Sequence, residues 1–424
     1  MEILVEKGLK IGVAVSGGVD SMVMLNLLRD SGAQIIAINI EHGIRGAVSK
    51  RDSKFVRNYC KRHEIECLAY NVDSPGYAVE QNMSVELAAR TLRYQIFDGL
   101  LKDKVVDCIA LAHHLNDQVE TVLMRIFRGT GIKGLRGIVD REGYIHPMLN
   151  FTKQEIRDYA ASHRIPYKED ATNFDSEYTR NYIRHEIIPH IKLRFPGFEG
   201  AVEKLAKSAE EIEDYMMSEV VEPEFKGEGA TLPIGVLSLH PALAKKTLAE
   251  TLRRLGCDKD IEYNHLESLL SLKDSPNNAK INLPYGYDAY KAYDNLCIVK
   301  RVESSYYESD FMVGGLYEYQ GFIYTFSKTD EIKKGLTFDI DKVPEGAIVR
   351  TRKEGDKFKR FGGGTKSLGD YLTDIKIPLY MRDKLLLIAK DSTIYAVLGV
   401  EISDELKIDE NTKNKYLINI GETK

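Results

Sequence analysis

Between Lys10 and about His114 the chain alternates short apolar runs with longer amphipathic stretches. The runs Lys10–Val15, Gln34–Ile40, Glu66–Val72 and Val105–Ala112 have the length and continuity of buried strands. The stretches Asp20–Asp30, Val48–His63 and Ser84–Lys102 between them carry helical spacing. Such alternation predicts an α/β domain with a doubly wound, mostly parallel sheet covered on both faces. In these sheets ligands bind at the carboxyl ends of strands, where strand order reverses. The loop after the first run and the pair His113-His114 after the fourth lie at such ends.

A further helix is predicted over Asp117–Phe127. The loop Gly129–Gly137 is too rich in glycine for a helix. Thr152–His163 reads as a helix opened by a Thr152/Glu155 capping box. Asp170–Arg184 is polar and dense in Asn, Asp, Thr and Arg, and Pro189 and Pro196 punctuate the residues after it. Glu199–Val221 forms an amphipathic helix, and Leu237–Leu272 is helical in period. Asn277–Arg301 has strand and turn character. From Asp310 the pattern turns to short β runs (Phe322–Ser327, Ile348–Arg352, Leu385–Ala389, Ile394–Val400) around one helix, Lys366–Leu372. Three domains are expected: 1–198, α/β; 199–305, a linker helix and a small, mostly helical middle domain; 306–424, α+β.

Composition is that of an ordinary globular chain, 43% hydrophobic and 29% charged over 424 residues. No apolar run approaches the roughly 18 residues of a membrane span, and the first residues do not read as a signal peptide. The five cysteines are scattered without a C-x-x-C pair, so neither zinc nor iron–sulfur ligation is suggested and a reducing, cytoplasmic setting is expected. Cys108 reads as core. A net charge of −5 excludes a wholly basic nucleic-acid coat but not a basic patch. Charge is in fact uneven: eight acids face two lysines over Glu199–Glu222, and nine basic residues face four acids over Arg350–Arg382.

The chemistry concentrates at Ser16-Gly17-Gly18-Val19-Asp20-Ser21, between the first strand and the first helix. Paired glycines admit a sharp turn and close approach of a ligand, and backbone N–H groups there suit an anion. A plain strand-to-helix turn fits the same residues. A Walker loop would end in Lys-Ser or Lys-Thr. Here Asp20 stands instead, which suggests Mg²⁺ and attack at an α-phosphate with pyrophosphate leaving. Glu86, Arg90 and Arg93 share a broad helical face, as a surface ion ladder also would. In Ala112-His113-His114-Leu115-Asn116-Asp117-Gln118-Val119-Glu120-Thr121, His113, Asp117 and Glu120 share a face if the helix starts early. Two such carboxylates can bind an ammonium or a metal, or cap the helix.

S-G-G-V-D-S resembles the signature of the PP-loop ATP pyrophosphatases. Together with Ile40-Glu41-His42-Gly43-Ile44-Arg45 and the histidine–acid string, it is similar to one family of these, the tRNA(Ile)-lysidine synthetases. The resemblance extends to Arg128–Leu135, to Asp170-Ala171-Thr172-Asn173 with Arg180-Asn181-Tyr182-Ile183-Arg184 and Ile187-Ile188-Pro189, and to Arg350–Phe358 with Lys366, Leu368, Asp370 and Lys376-Ile377-Pro378. It spans nearly the whole chain. It departs at Asn116, where the family usually has the first of two adjacent acids, at Glu41, where it often shows Asp, and at His146, where it often shows Arg.

The resemblance implies a ligase that adenylates the wobble cytidine of a CAU-anticodon tRNA(Ile) at O2 and then joins L-lysine to C2, releasing pyrophosphate and AMP. It implies ATP at Ser16, Gly17, Gly18, Val19, Asp20 and Ser21, and Mg²⁺ on Asp20. It implies lysine on Asp117 and Glu120, with His114 or a carboxylate as base. Arg180 and Arg184 reach the α-phosphate or the RNA. The middle domain contacts tRNA, and Arg352, Lys353, Lys357, Lys359, Arg360 and Lys366 grip it from the last domain. Phe358, Phe361 and Tyr371 read as core there. A homodimer is compatible with this assignment. A sulfur-transferring tRNA thiolase would need placed cysteines, an amidotransferase a glutaminase domain, and a non-catalytic RNA-binding module neither Asp20 nor the acid pair.

Overall fold

The computed structural model describes residues 1–3, 5–6, 8–169, 179–257, 261–301 and 306–422. The chain divides into two compact units, Met1–Tyr215 and Met216–Lys424.

The first unit is built on five parallel strands, β1 (Lys10–Ala14), β2 (Gln34–Glu41), β3 (Glu66–Asn71), β4 (Cys108–Ala110) and β5 (Tyr144–Ile145), in the order β3-β2-β1-β4-β5. Helices α1 (Val19–Asp30), α2 (Ala47–Arg62), α3 (Ser74–Glu80), α4 (Val85–Lys102), α5 (Leu115–Phe127), α6 (Ile132–Leu135) and α7 (Lys153–Ser162) follow or interleave. Order reverses between β1 and β4, so the loop after β1 and the histidines after β4 flank one crevice. The central strands are apolar on both faces, with Ile11 and Val13 fully buried, which is why their sequence reads as continuous runs. One core joins β1 to α1 and α7 through Met22, Leu25, Ile156 and Ala160. A second covers the other face through Ile36, Ile38, Phe97 and Ile109. A buried polar chain ties the crevice rim: Ser53 Oγ donates to Asn39 Oδ1 (2.6 Å), and Asn39 Nδ2 donates to Val15 O (2.8 Å). The unit closes with α8 (Thr179–Tyr182), a π-helical turn over Ile183–Ile187, α9 (Ile188–Arg194) and all but the last turn of the long α10 (Phe198–Ser218).

Four expectations need correction here. β4 is shorter than predicted because β1 pairs with only three of its residues. The glycine-rich loop does hold one helical turn, α6, because Arg125 donates to the carbonyls of Gly134 (2.9 Å) and Gly137 (2.7 Å) and Gln118 donates to that of Arg136 (2.8 Å). Gly137 lies at φ +65°, and a Cβ there would strike the Gln118 amide. α3 is an added element, masked in the sequence by Pro75 and Gly76. Pro75 sits in its first turn, where no N–H is needed, and Asp73 caps it by accepting from Gly76 N (2.9 Å). Finally, α5 begins at Leu115, so His113 precedes the helix and does not share a face with Asp117 and Glu120.

The second unit opens with an antiparallel sheet of β6 (Glu224–Lys226), β7 (Gly229–Pro233), β8 (Lys280–Asn282), β9 (Tyr287–Ala292) and β10 (Asn295–Lys300), in the order β6-β7-β10-β9-β8. Helices α11 (Pro241–Arg254) and α12 (Tyr263–Ser271) bury Leu248, Leu252 and Leu269 in a core shared with Leu296 and Ile298 of that sheet. This segment is therefore α+β rather than mostly helical. Beyond it stand a seven-stranded and a four-stranded sheet. The helix predicted at Lys366–Leu372 runs over Leu368–Asp374, capped by Ser367 Oγ, while Lys366 belongs to a β-hairpin of Lys357–Lys359 with Thr365–Ser367. Among the described residues no helix is long and apolar enough to cross a membrane.

Candidate active site

The loop after β1 is closed on itself. Ser21 Oγ accepts from the backbone N–H groups of Ser16 and Gly17 (3.2 Å each) and donates to Gly18 O (3.0 Å). Gly17 lies at φ +94° with Val56 against it, a conformation and a space that favour glycine. Its carbonyl accepts from Lys168 N (2.9 Å), which staples the loop to the chain beyond α7. Asp20 stands in the first turn of α1, where a carboxylate is favoured by the helix dipole.

Two cavities meet at Asp20. One, of about 370 Å³, lies over the carboxyl ends of β1, β2 and β4 and is lined by Val15, Ile38, Ile40, Phe97 and Leu111, with Arg93, His42 and His113 at its polar edge. Burial pulls the pKa of His42 and His113 down to about 4, so both are neutral at pH 7. No ion pair links Glu86 to Arg90 or Arg93 among the described residues; Arg90 instead lies over the Tyr94 ring (4.9 Å).

The other cavity, of about 470 Å³, is polar and bounded by Asp20, His114, Asp117, Glu120, Lys153, Arg157, Lys168 and Arg184. Here the predicted residues converge. Glu120, 1% exposed, accepts from Arg180 Nε (2.7 Å) and Arg184 Nε (2.6 Å). Asp117 Oδ1 takes the second nitrogens of Arg180 (3.0 Å) and Arg184 (3.3 Å). Asp117 Oδ2 accepts from His114 N (3.1 Å), so this acid both caps α5 and holds the arginines. Burial alone would push the Asp117 pKa up, but the neighbouring His114, Arg180 and His113 and the His114 N–H hold it below the usual carboxylate range. Burial works against the Arg184 charge too, yet Glu120 and Asp117 raise its pKa further. His114 is buried, with Nε2 3.4 Å from Asp117 Oδ2 and 3.9 Å from Asp20 Oδ1, and burial lowers its pKa. Asn116 does structural work: its Oδ1 accepts from Lys153 N (2.8 Å) and its Nδ2 donates to Glu199 (2.7 Å).

One contact has no counterpart among the sequence expectations. Lys153 Nζ reaches both carboxylate oxygens of Asp20, at 2.6 Å each. The only sign of it in the sequence is the missing Walker lysine, which requires a cation from elsewhere. Asp170–Asn173 lies outside the described residues. Among the described residues no group of three or more His, Cys, Asp and Glu side chains is placed to hold a metal. A lone Asp20 at the loop fits a Mg²⁺ carried chiefly by phosphate oxygens, which needs one or two protein carboxylates.

The basic residues predicted to grip RNA lie in the second unit. Arg352 pairs with Asp383 (2.7 Å), Lys353 with Glu308 (3.2 Å), Lys359 with Asp404 (3.8 Å) and Lys366 with Asp374 (2.7 Å). Lys357 and Arg360 are exposed and have no carboxylate partner among the described residues. Phe358 and Tyr371 are core, at 0% and 2% exposure, and Phe361 packs at the edge of a neighbouring core. Cys108 is buried as expected.

Residues 2–191 match the PP-loop domain family, and residues 347–418 match the TilS substrate C-terminal domain. A tRNA(Ile)-lysidine synthase of Caldanaerobacter subterraneus subsp. tengcongensis is 33% identical over 98% of this chain and 94% of its own. One from Clostridium tetani is 32% identical over 98% and 95%, respectively. Among solved structures, a C-terminal domain of TilS aligns with 28% of this chain and 99% of its own at 22% identity (TM-score 0.26). The U34-tRNA thiolase NcsA of Methanococcus maripaludis aligns with 49% of this chain and 73% of its own at 19% identity (TM-score 0.41). The chain belongs to the tRNA(Ile)-lysidine synthase family, a family of PP-loop ATP-using ligases.

Proposed function

We propose that this enzyme joins L-lysine to C2 of the wobble cytidine of the CAU-anticodon tRNA(Ile), through a cytidine adenylated at O2, with release of pyrophosphate and AMP. The observation that carries the reading is the Asp117/Glu120/Arg180/Arg184 quartet, set in the cavity that begins at Asp20. The apolar cavity over β1, β2 and β4 suits the adenosine of ATP. The cytidine O2 attacks the α-phosphate between the two cavities. Backbone N–H groups of the loop stabilise charge on the departing pyrophosphate. Asp20 would hold Mg²⁺, which supplies charge neutralisation on the phosphates when bound.

The quartet is two acids against two guanidiniums, a match for a zwitterion: the lysine ammonium on Asp117 and Glu120, its carboxylate toward Arg180 or Arg184. The attacking ε-amine must be neutral. His114 or a carboxylate can take its proton. With the cognate tRNA, ATP and labelled lysine, the protein is expected to incorporate label and release AMP and pyrophosphate. Incorporation without ATP, or into a tRNA lacking the wobble cytidine, would sink the reading.

The second unit holds the RNA through phosphate contacts, which position without reading sequence. Replacing Lys357, Arg360 and Lys366 together by Glu is expected to weaken tRNA binding and to flatten its salt dependence by about two to three units of slope, while ATP binding is unchanged. An unaltered slope in a filter-binding titration would remove these residues from the RNA interface.

A further inference from the structure

The loop after β1 has no lysine, yet the β- and γ-phosphates of a bound ATP carry most of its charge and need a partner. The fold brings three cations to the loop from elsewhere. Lys153 begins α7, whose Ile156 and Ala160 share a core with α1. That packing, and the hold of Asn116 Oδ1 on Lys153 N, set the Lys153 ammonium 2.6 Å from Asp20. Arg157 lies one turn further along α7 and lines the same cavity. Lys168 lines it too, fixed by its own N–H on Gly17 O.

The charge balance of the cavity singles these groups out. Asp117 and Glu120 are matched by Arg180 and Arg184, and Asp20 by Lys153. Arg157 and Lys168 have no carboxylate partner among the described residues, and Glu169 alone stands against them on the cavity wall. A cavity that leaves cations unmatched beside a glycine-rich loop is prepared for an anion.

We propose that Lys153, with Arg157 and Lys168 beside it, grips the β- and γ-phosphates of ATP and then the departing pyrophosphate, taking the place of the lysine that the loop lacks. Lys153 serves two anions in turn: it neutralises Asp20 before ATP binds and turns to the phosphates afterwards, when Asp20 would hold Mg²⁺. The inference rests on the reading of the loop as an ATP site.

Calorimetric titration with Mg²⁺–ATP and with AMP tests both levels. The wild-type protein is expected to bind ATP more tightly than AMP. Lys153→Met should weaken ATP on the order of 10- to 100-fold, the weight of a lost hydrogen bond to a charged group, and leave AMP within about twofold of the wild-type value. Arg157→Gln should act the same way to a smaller degree, and Lys153→Arg should restore part of the loss. Retention of AMP binding by each variant shows that the site is folded. The same substitution in an Asp20→Asn background separates a phosphate grip from a counter-ion: ATP affinity must still fall on adding Lys153→Met. If that cost vanishes, Lys153 serves only Asp20 and the proposal is overturned. It is equally overturned if the preference for ATP survives in the variants while tRNA affinity drops, since the cations would then serve RNA phosphates. Wild-type protein that bound neither nucleotide would remove the ATP site itself, and the grip with it.

Discussion

Glu120→Ala is expected to destabilise the first unit by about 3 kcal/mol, the low end for removing one partner of a buried ion pair, and to abolish lysine incorporation. The low end applies because Arg180 and Arg184 keep about a third of their side-chain surface, so water recovers part of what the carboxylate supplied. Without it, Arg180 Nε and Arg184 Nε both lose their short hydrogen bonds, and Asp117 alone faces two guanidiniums. The balance of the quartet shifts from neutral to positive, which disfavours the lysine ammonium. Glu120→Gln is the sharper variant: it keeps the volume and one acceptor oxygen, so the urea midpoint should fall less. On the proposed lysine site, incorporation should be lost to a similar degree, because the charge assigned to hold the ammonium is gone. On the proposed order, in which adenylation precedes the lysine step, pyrophosphate release from ATP and tRNA should persist in Glu120→Gln. Loss of that release together with incorporation would show that Glu120 serves adenylation and that the lysine assignment is wrong.

The quartet also shows where the sequence stops being informative. The doubly wound sheet was legible because a parallel strand buried on both faces must be an apolar run, and β1 and β2 are. The pairing of Asp117 with Glu120 was legible because residues three apart on a helix share a face. Their partners were not. Arg180 and Arg184 reach them across 60 and 64 residues of chain, and no local period encodes such a contact. The sequence suggested phosphate or RNA for those arginines, whereas the structure has them on the two acids. Lys153 was hidden for a related reason. It follows Thr152, whose capping box with Glu155 accounts fully for the local pattern, so nothing nearby asked for a second role. The β6–β7 hairpin was hidden because its strands are short and β6 is exposed throughout, which leaves no alternation to read.

Asp20→Ala should lower the rate of pyrophosphate release by on the order of 10³-fold, the scale of losing one preorganised electrostatic group at the reacting phosphate, with little change in stability. The carboxylate is 28% exposed and its main contact is the Lys153 ammonium, so its removal leaves no buried charge unpaired. ATP affinity is expected to hold or even rise, because Lys153 is released to the phosphates without a competing acid. A fall in kcat with an unchanged or lower KM for ATP is therefore the signature of Asp20 acting on the reacting phosphate. A merely structural Asp20 would raise KM as the loop lost its shape. Asp20→Asn should behave like Asp20→Ala, since the amide keeps the size but not the charge that a divalent ion requires. Single-turnover release of labelled pyrophosphate decides the matter: release at the wild-type rate by either variant would move the metal away from Asp20, and the first half of the reaction would need another carboxylate.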